Sequence, residues 1–281
     1  MWDDQYLYCY AELKEKDIWA TICEQDKSVF QENALELFID PDADTQQYLE
    51  FQINALGTVW DLIMSKPYRN GGHSWSDWDV KGLKKAVYIK GTVNQPHDED
   101  EGWSVELAFP MKSLASAAGK LPEVGDVWRM NISRVEWELE KKKNQYQKVS
   151  ERGGKVKDPA YWVWAPQGAV NLHMPERWGY LVLADQDGKA VQTEVRLNEL
   201  AEPQRLVWKL YYLQQAYKSR YHRFAQQIRE LKKAFPLDVL PDDPALSMEA
   251  NARQFWIAYA SPKGQWLIAV DHEGKVCYEW P

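Results

Sequence analysis

The residues most able to do chemistry are carboxylates set inside strand-like stretches. Glu36 and Glu50 lie in two neighbouring alternating segments, and Asp61 and Glu106 in two more. If Glu36 and Glu50 project from one sheet face, they could act as an acid/base pair. Glycoside cleavage uses two such groups roughly 5 to 10 Å apart. The plainer expectation is an exposed sheet face decorated with ordinary Glu. A second group is Asp40-Pro41-Asp42-Ala43-Asp44, three carboxylates at alternating positions just after a strand. Hard oxygens in a tight turn suit calcium. The run lacks the Gly and terminal Glu of an EF-hand.

Aromatic residues form the next group. The chain has 15 Trp and 15 Tyr, and Trp75 and Trp78 sit in a long polar loop with Arg69, Asn70, Asp77 and Asp79. Indole faces stack on sugar C–H faces, while the polar neighbours could bond hydroxyls. The alternative is that both rings turn back and pin the loop. Among the five histidines no pair has zinc spacing. The sequence has no GxSxG, P-loop or GxGxxG motif. The three cysteines allow at most one bridge, with Cys9–Cys23 the local candidate.

These groups must be held by a framework of strands. Leu35, Leu37 and Ile39 alternate with Glu36 and Phe38, and Leu49, Phe51 and Ile53 alternate with Glu50 and Gln52. Other strands are expected over Tyr6–Ala11, Thr58–Ile63, Lys85–Gly91, Trp103–Phe109, Val127–Val135 and Trp178–Leu183. A short helix is expected over Met111–Ala118, between Pro110 and Gly119. Many short strands with long loops predict a mainly β antiparallel sandwich over residues 1–184. A small α+β region over 185–281 follows. It has helices over Pro203–Arg220 and Phe224–Ala234, then three strands over Ala252–Tyr259, Gln265–Asp271 and Lys275–Trp280.

A net charge of -8 argues against general nucleic-acid binding, because phosphate backbones are repelled. The sequence contains no run of eighteen apolar residues, so no membrane span is expected. No signal peptide is visible at the start.

Several stretches together resemble the family 9 carbohydrate-binding modules. They are Trp2-Asp3-Asp4-Gln5-Tyr6-Leu7-Tyr8, Ala34-Leu35-Glu36-Leu37-Phe38-Ile39-Asp40-Pro41-Asp42 and Glu50-Phe51-Gln52-Ile53-Asn54-Ala55. Gly102-Trp103-Ser104-Val105-Glu106-Leu107-Ala108-Phe109-Pro110, Trp128-Arg129-Met130-Asn131-Ile132-Ser133-Arg134, Trp164-Ala165-Pro166 and Pro175-Glu176-Arg177-Trp178-Gly179-Tyr180 continue the series. The resemblance spans about 180 residues and stops at Leu183. It implies that the family's first strand is absent here.

It further implies a sandwich in which two aromatic rings grip a sugar, polar side chains bond its hydroxyls and calcium braces the loops. Phe30 falls at the first aromatic position and Glu36 at a hydroxyl-binding Glu. Gln52 stands where the family carries Arg. The second aromatic position falls at Asn171, Leu172 and His173, with Trp164 or Trp178 as possible replacements. The function expected is noncatalytic binding of a plant-type polysaccharide or its oligosaccharides in carbohydrate catabolism. Export and association with glycoside hydrolases follow from the resemblance. Two other readings remain, a glycoside hydrolase and a structural or assembly protein whose sugar site has decayed. The last predicts a flat, aromatic-poor surface at the aligned positions.

Overall fold

A computed structural model describes residues 1–238 and 240–279. The chain forms two compact units, Met1–Leu183 and Ala184–Pro281.

The first unit is an antiparallel β-sandwich. One sheet has the order β1-β7-β6, built from Tyr6–Lys14, Gly102–Pro110 and Lys84–Lys90. The other runs β11-β8-β2-β3-β4-β5, from Ala160–Val163, Val127–Glu136, Ala34–Asp40, Leu49–Asn54, Val59–Met64 and Ser74–Trp75. Strand β12, Gly179–Val182, also pairs with β8. A hairpin of β9 and β10, Leu139–Lys142 and Gln145–Lys148, stands in the long loop before β11.

Side-chain alternation dictates which residues fill the space between the sheets. Leu35, Leu37 and Ile39 from β2 and Leu49, Phe51 and Ile53 from β3 join Trp103, Val105, Leu107 and Phe109 from β7 in one core. Phe51 and Phe109 meet edge to face at 4.9 Å between ring centres. The β3–β4 hairpin turns at Gly57, whose φ of 77° favours glycine. The helix Met111–Ala118, α1, closes one end of this core with Met111, Leu114 and Ala117.

The opposite face of the larger sheet is not solvated. Every residue of β2 and β3 is buried. A smaller cluster of Phe38, Tyr48, Leu62, Met64 and Trp178 covers part of that face. The expected exposed row of sheet Glu is therefore corrected. Glu36 is 2% exposed and Glu50 is 6% exposed. Local alternation says which side a residue takes, while coverage depends on loops from far along the chain.

The second unit carries α2 over Val191–Tyr221, α3 over Ile228–Ala234 and a meander of β13 to β16. Helix α2 starts well before the expected Pro203, which lies inside it. Leu200 extends the apolar stripe of Val207, Leu210 and Tyr211 into the same core, so packing carries the helix past the proline. Helix α3 starts later than expected, at Ile228. The Gln214 side chain accepts from Ala225 N–H and donates to Ala225 O, holding that segment outside the helix.

The sheet here has four strands, not three. Its first strand, β13 at Leu246–Ala250, pairs with β14 at Phe255–Ala260. β15 at Leu267–Asp271 and β16 at Val276–Glu279 follow. Leu246, Met248 and Ala250 alternate with Ser247 and Glu249, a period-two signal hidden behind two prolines. Trp280, expected in the last strand, lies outside the described residues. Cys9 and Cys23 are not bridged. Cys9 is half-buried in the sandwich, and burial pushes its thiol up to about 11.

Candidate functional site

The cross-strand register decides which polar side chains meet. Glu36 lies opposite Gln52, and Gln52 opposite Trp60. One row further on, Phe38 lies opposite Glu50. Directly opposed residues share a sheet face, so these five side chains form a floor on the side away from the main core. They line a cavity of about 640 Å³. Phe30, Tyr68, Tyr161 and the segment Gln167–His173 form its walls.

Gln52 is the hub of the floor. Its Oε1 accepts the Phe30 backbone N–H at 2.8 Å. Its Nε2 donates to Glu36 Oε1 at 2.9 Å and to Glu50 Oε1 at 2.8 Å. Because both carboxylates bond one nitrogen, their nearer oxygens lie within about 6 Å of each other. Burial, then the neighbouring Glu50 charge, pushes Glu36 up to about 8. The Ser133 side chain, opposite Glu36 in the register, moderates that rise. Burial pushes Glu50 up to about 7, against the moderating Gln52 bond. Two buried polar atoms at this cavity have no hydrogen-bond partner: the acceptor Glu36 Oε2 and the donor Gln167 Nε2.

Distant loops supply the walls. Phe30 sits on a single 3-10 turn, Val29–Gln31, with its ring 5.6 Å from Trp60. Its carbonyl accepts from Trp137 Nε1 at 3.0 Å. Just after the turn, buried Glu32 gathers the backbone N–H groups of Thr21 and Ile22. On the other side Gly168, with φ 73°, turns the chain towards Asn171. Asn171 Oδ1 accepts the His173 N–H at 3.0 Å.

His173 is boxed by Phe38, Tyr48 and Tyr68 rings, and its Nδ1 bonds Tyr48 Oη at 2.9 Å. Its Nε2 stands 3.8 Å from Glu50 Oε2. Burial pulls the imidazole down to about 4, so it is neutral at ordinary pH. Arg69 staples the loop by donating to His173 O and to Glu176. Trp178 Nε1 props Leu172 O at 2.8 Å from below.

Phe30, Glu36, Gln52, Asn171 and His173 thus meet at one cleft, although they span about half the chain. Trp75 and Trp78 do not line it. Trp75 is 42% exposed on β5, edge-on to His73 at 5.2 Å. Trp78 packs on the sandwich core. Trp164 and Trp178 are not the second aromatic wall either. Trp164 lies over Gly179, where a Cβ would come within 2.4 Å of its ring, and Trp178 is buried beneath the loop. Trp60, Tyr68, Tyr161 and Gln167 were not anticipated as site residues. Trp60 was reachable by counting register from Gln52. Tyr68, Tyr161 and Gln167 carry no local signal.

Asp40, Asp42 and Asp44 also come together, with one ligand atom from each within 4.8 Å of the others. Ala43, Thr45 and Gln47 take φ of 58°, 72° and 45°, which curls the loop inward. Asp40 Oδ2 accepts Thr45 N–H at 2.8 Å, while its buried Oδ1 has no partner. Burial, with Asp42 and Asp44 nearby, raises the Asp40 carboxyl well above its ordinary range. A second trio, Asp26, Asp61 and Asp79, meets the same distance test. Asp61 Oδ2 accepts Val80 N–H at 2.6 Å, and its Oδ1 is buried without a partner.

No family model and no curated protein matches the chain. Two solved structures overlap it in part. One is from Bacteroides uniformis, described provisionally as a carbohydrate-binding protein. It has a TM-score of 0.43 and 19% identity over 63% of this chain and 73% of that one. The other is a family 9 carbohydrate-binding module from Caldicellulosiruptor kristjanssonii in complex with glucose. It has a TM-score of 0.39 and 15% identity over 67% of this chain and 76% of that one.

Proposed function

We propose that the first unit is a noncatalytic carbohydrate-binding module whose ligand occupies the Glu36–Gln52–His173 cleft. The observation that carries this reading is the pair of unsatisfied buried atoms, Glu36 Oε2 and Gln167 Nε2, in an aromatic-walled cavity. An orphaned buried polar group costs about 1–3 kcal/mol. A sugar hydroxyl both donates and accepts, so one ligand satisfies both atoms. Phe30, Trp60, Tyr68 and Tyr161 offer ring faces for the sugar's C–H surfaces. The cavity volume falls within the usual range for small-ligand sites, roughly 300–1,000 Å³.

The glycoside hydrolase reading has one point in its favour, the short spacing of Glu36 and Glu50. Retaining enzymes need one of the two ionised as nucleophile. Here burial raises both carboxyls, Glu36 to about 8 and Glu50 to about 7, so neither is fully ionised at neutral pH, and Gln52 ties them together. A decayed assembly protein fits less well, because the aligned surface is concave and aromatic. A plant-type polysaccharide ligand, a catabolic role, export and work beside glycoside hydrolases belong to the same proposal. No helix among the described residues is long and apolar enough to cross a membrane.

Calorimetry with xylo-, cello- and manno-oligosaccharides tests the proposal. Micromolar to millimolar affinity without product is expected, with Gln167→Ala weakening it about tenfold, or ~1.4 kcal/mol. A folded protein that binds none of them would overturn the reading, and released product would favour the hydrolase.

The Asp40, Asp42 and Asp44 trio fits calcium by its all-oxygen donor set and by the unpartnered Asp40 Oδ1. A bound ion would neutralise the carboxylates and brace the loop leading into β3. Calcium is expected to stabilise the wild type by about 2.7 kcal/mol at a hundredfold excess over Kd, seen as a higher melting temperature. Asp40→Asn is expected to remove that gain, and Asp61→Asn reports separately on the second trio. An unchanged wild-type melting temperature in calcium and in chelator would refute the assignment.

A further inference from the structure

The floor of the cleft carries two buried acids, and no Lys or Arg among the described residues that line it stands against them. Arg69, the nearby guanidinium, is committed to Glu176 at 2.8 Å and to the His173 carbonyl. His173 faces Glu50 from the opposite wall but is held neutral by burial. The remaining groups facing the pair are Tyr48, Tyr68 and Tyr161, all neutral phenols whose ionisation Glu50 further opposes. Gln52 contributes only its one amide, already shared between Glu36 and Glu50.

The unpartnered Glu36 Oε2 is therefore a buried acid oxygen with no hydrogen-bond partner and no cation among the described lining residues. Phe30 and Trp60, 5.6 Å apart, line the same cavity, as does Tyr161. Two carboxylates beneath aromatic faces are the chemistry that holds an ammonium group. The charge pairs with the acids, the three N–H bonds find acceptors, and ring faces attract a cation within about 6 Å.

We infer that the cleft selects a sugar bearing a protonated primary amine, its ammonium seated at Glu36 and Glu50 and its ring against the aromatic wall. This rests on the carbohydrate reading of the cleft and narrows it to amino sugars. A neutral sugar can satisfy Glu36 Oε2 with a hydroxyl but cannot pair with an ionised acid. An ammonium does both.

A linked proton signal follows. In the free protein burial keeps protons on the pair near neutral pH, with Glu36 at about 8 and Glu50 at about 7. An ammonium favours the ionised pair and expels those protons on binding. Affinity for the amine then rises as pH increases from 6 to 7.5, while that for a neutral sugar does not.

The test is calorimetry on the full chain at pH 7 with D-glucosamine, D-glucose, N-acetyl-D-glucosamine and methylammonium. Two buffers of different ionisation heat count the protons released. The expected result is glucosamine at least tenfold tighter than glucose and N-acetylglucosamine, with proton release for glucosamine alone. Glu36→Gln, which keeps the side-chain shape, is expected to abolish that preference, so that glucosamine binds no tighter than glucose and releases no protons. Glu50→Gln is expected to weaken the preference in the same direction and guards against a folding failure in the first variant.

Glucose equal to or tighter than glucosamine would overturn the inference and leave the carbohydrate reading standing. Methylammonium as tight as glucosamine would overturn the role of the ring and point to a plain amine site. No binding of any probe would sink both readings.

Discussion

Gln52→Ala is expected to lose ligand binding altogether and about 3–5 kcal/mol of stability. One side chain here serves three partners: the half-buried Phe30 N–H and the buried Glu36 Oε1 and Glu50 Oε1. Its removal leaves all three unsatisfied, and each orphan costs about 1–3 kcal/mol. It also leaves Glu36 and Glu50 facing each other across a void. Phe30 loses the bond that positions its turn against the floor, so the aromatic wall loosens as well. Gln52→Glu keeps the volume but adds a third buried acid, and is expected to be at least as damaging at pH 7. Chemical denaturation with a ligand titration on the same variants measures both effects. A loss below about 1 kcal/mol with binding intact would show that the hub is not holding the site.

The second large effect is a loss of stability as pH rises. Glu36 and Glu50 ionise in the folded chain at about 8 and about 7, far above the ordinary carboxylate range near 4.5. A raised carboxyl binds its proton more tightly when folded, so its stabilising contribution is full below the unfolded value. That contribution is lost as pH climbs towards the folded one. His173 works in the opposite sense, because its folded value of about 4 lies below the ordinary 6.5 and costs stability only in acid. Above pH 6.5 the imidazole is neutral in both states and the acids dominate.

Between pH 6.5 and 8 the wild type is expected to lose on the order of 2 kcal/mol through Glu36, at ~1.4 kcal/mol per pH unit. Thermal melts in chelator across that range check this, since chelation removes calcium effects. Glu36→Gln is expected to flatten the slope and to melt higher than the wild type at pH 8. A slope unchanged in Glu36→Gln would place the pH dependence elsewhere.

The two effects share one cause. The sheet face carrying Glu36, Glu50 and Gln52 is polar in sequence but buried in the structure. Natural cores avoid such an arrangement unless a partner arrives to satisfy it. The stability spent there is what a ligand would recover, and Glu36→Gln is expected to separate stability from amine selectivity for that reason.

The sandwich was readable because its strands alternate strictly. Leu35, Leu37 and Ile39 opposite Leu49, Phe51 and Ile53 define a face whichever loops surround them, and α1 is bounded by Pro110 and Gly119. The alternation also put Glu36 and Gln52 together on the opposite face. Long-range information entered where local rules compete. Pro203 reads as a helix start, but packing of Leu200 draws α2 through it. Trp75 and Trp78 look like a binding loop by composition. Trp78 instead completes the core, while Trp75 stands exposed outside the cleft.

By itself, then, the sequence determined the strand faces and the chemical identity of the floor, because period-two patterning depends only on neighbours. Phe30, Asn171 and His173 came only from the resemblance to the family 9 modules. The tertiary structure alone decided that Glu36 and Glu50 are buried, that Gln52 bridges them, and that Trp60, Tyr68, Tyr161 and Gln167 complete the walls. Burial and bridging depend on which loops fold back over the sheet. That choice is made by contacts between residues more than a hundred positions apart, such as Arg69 with Glu176 and Tyr48 with His173.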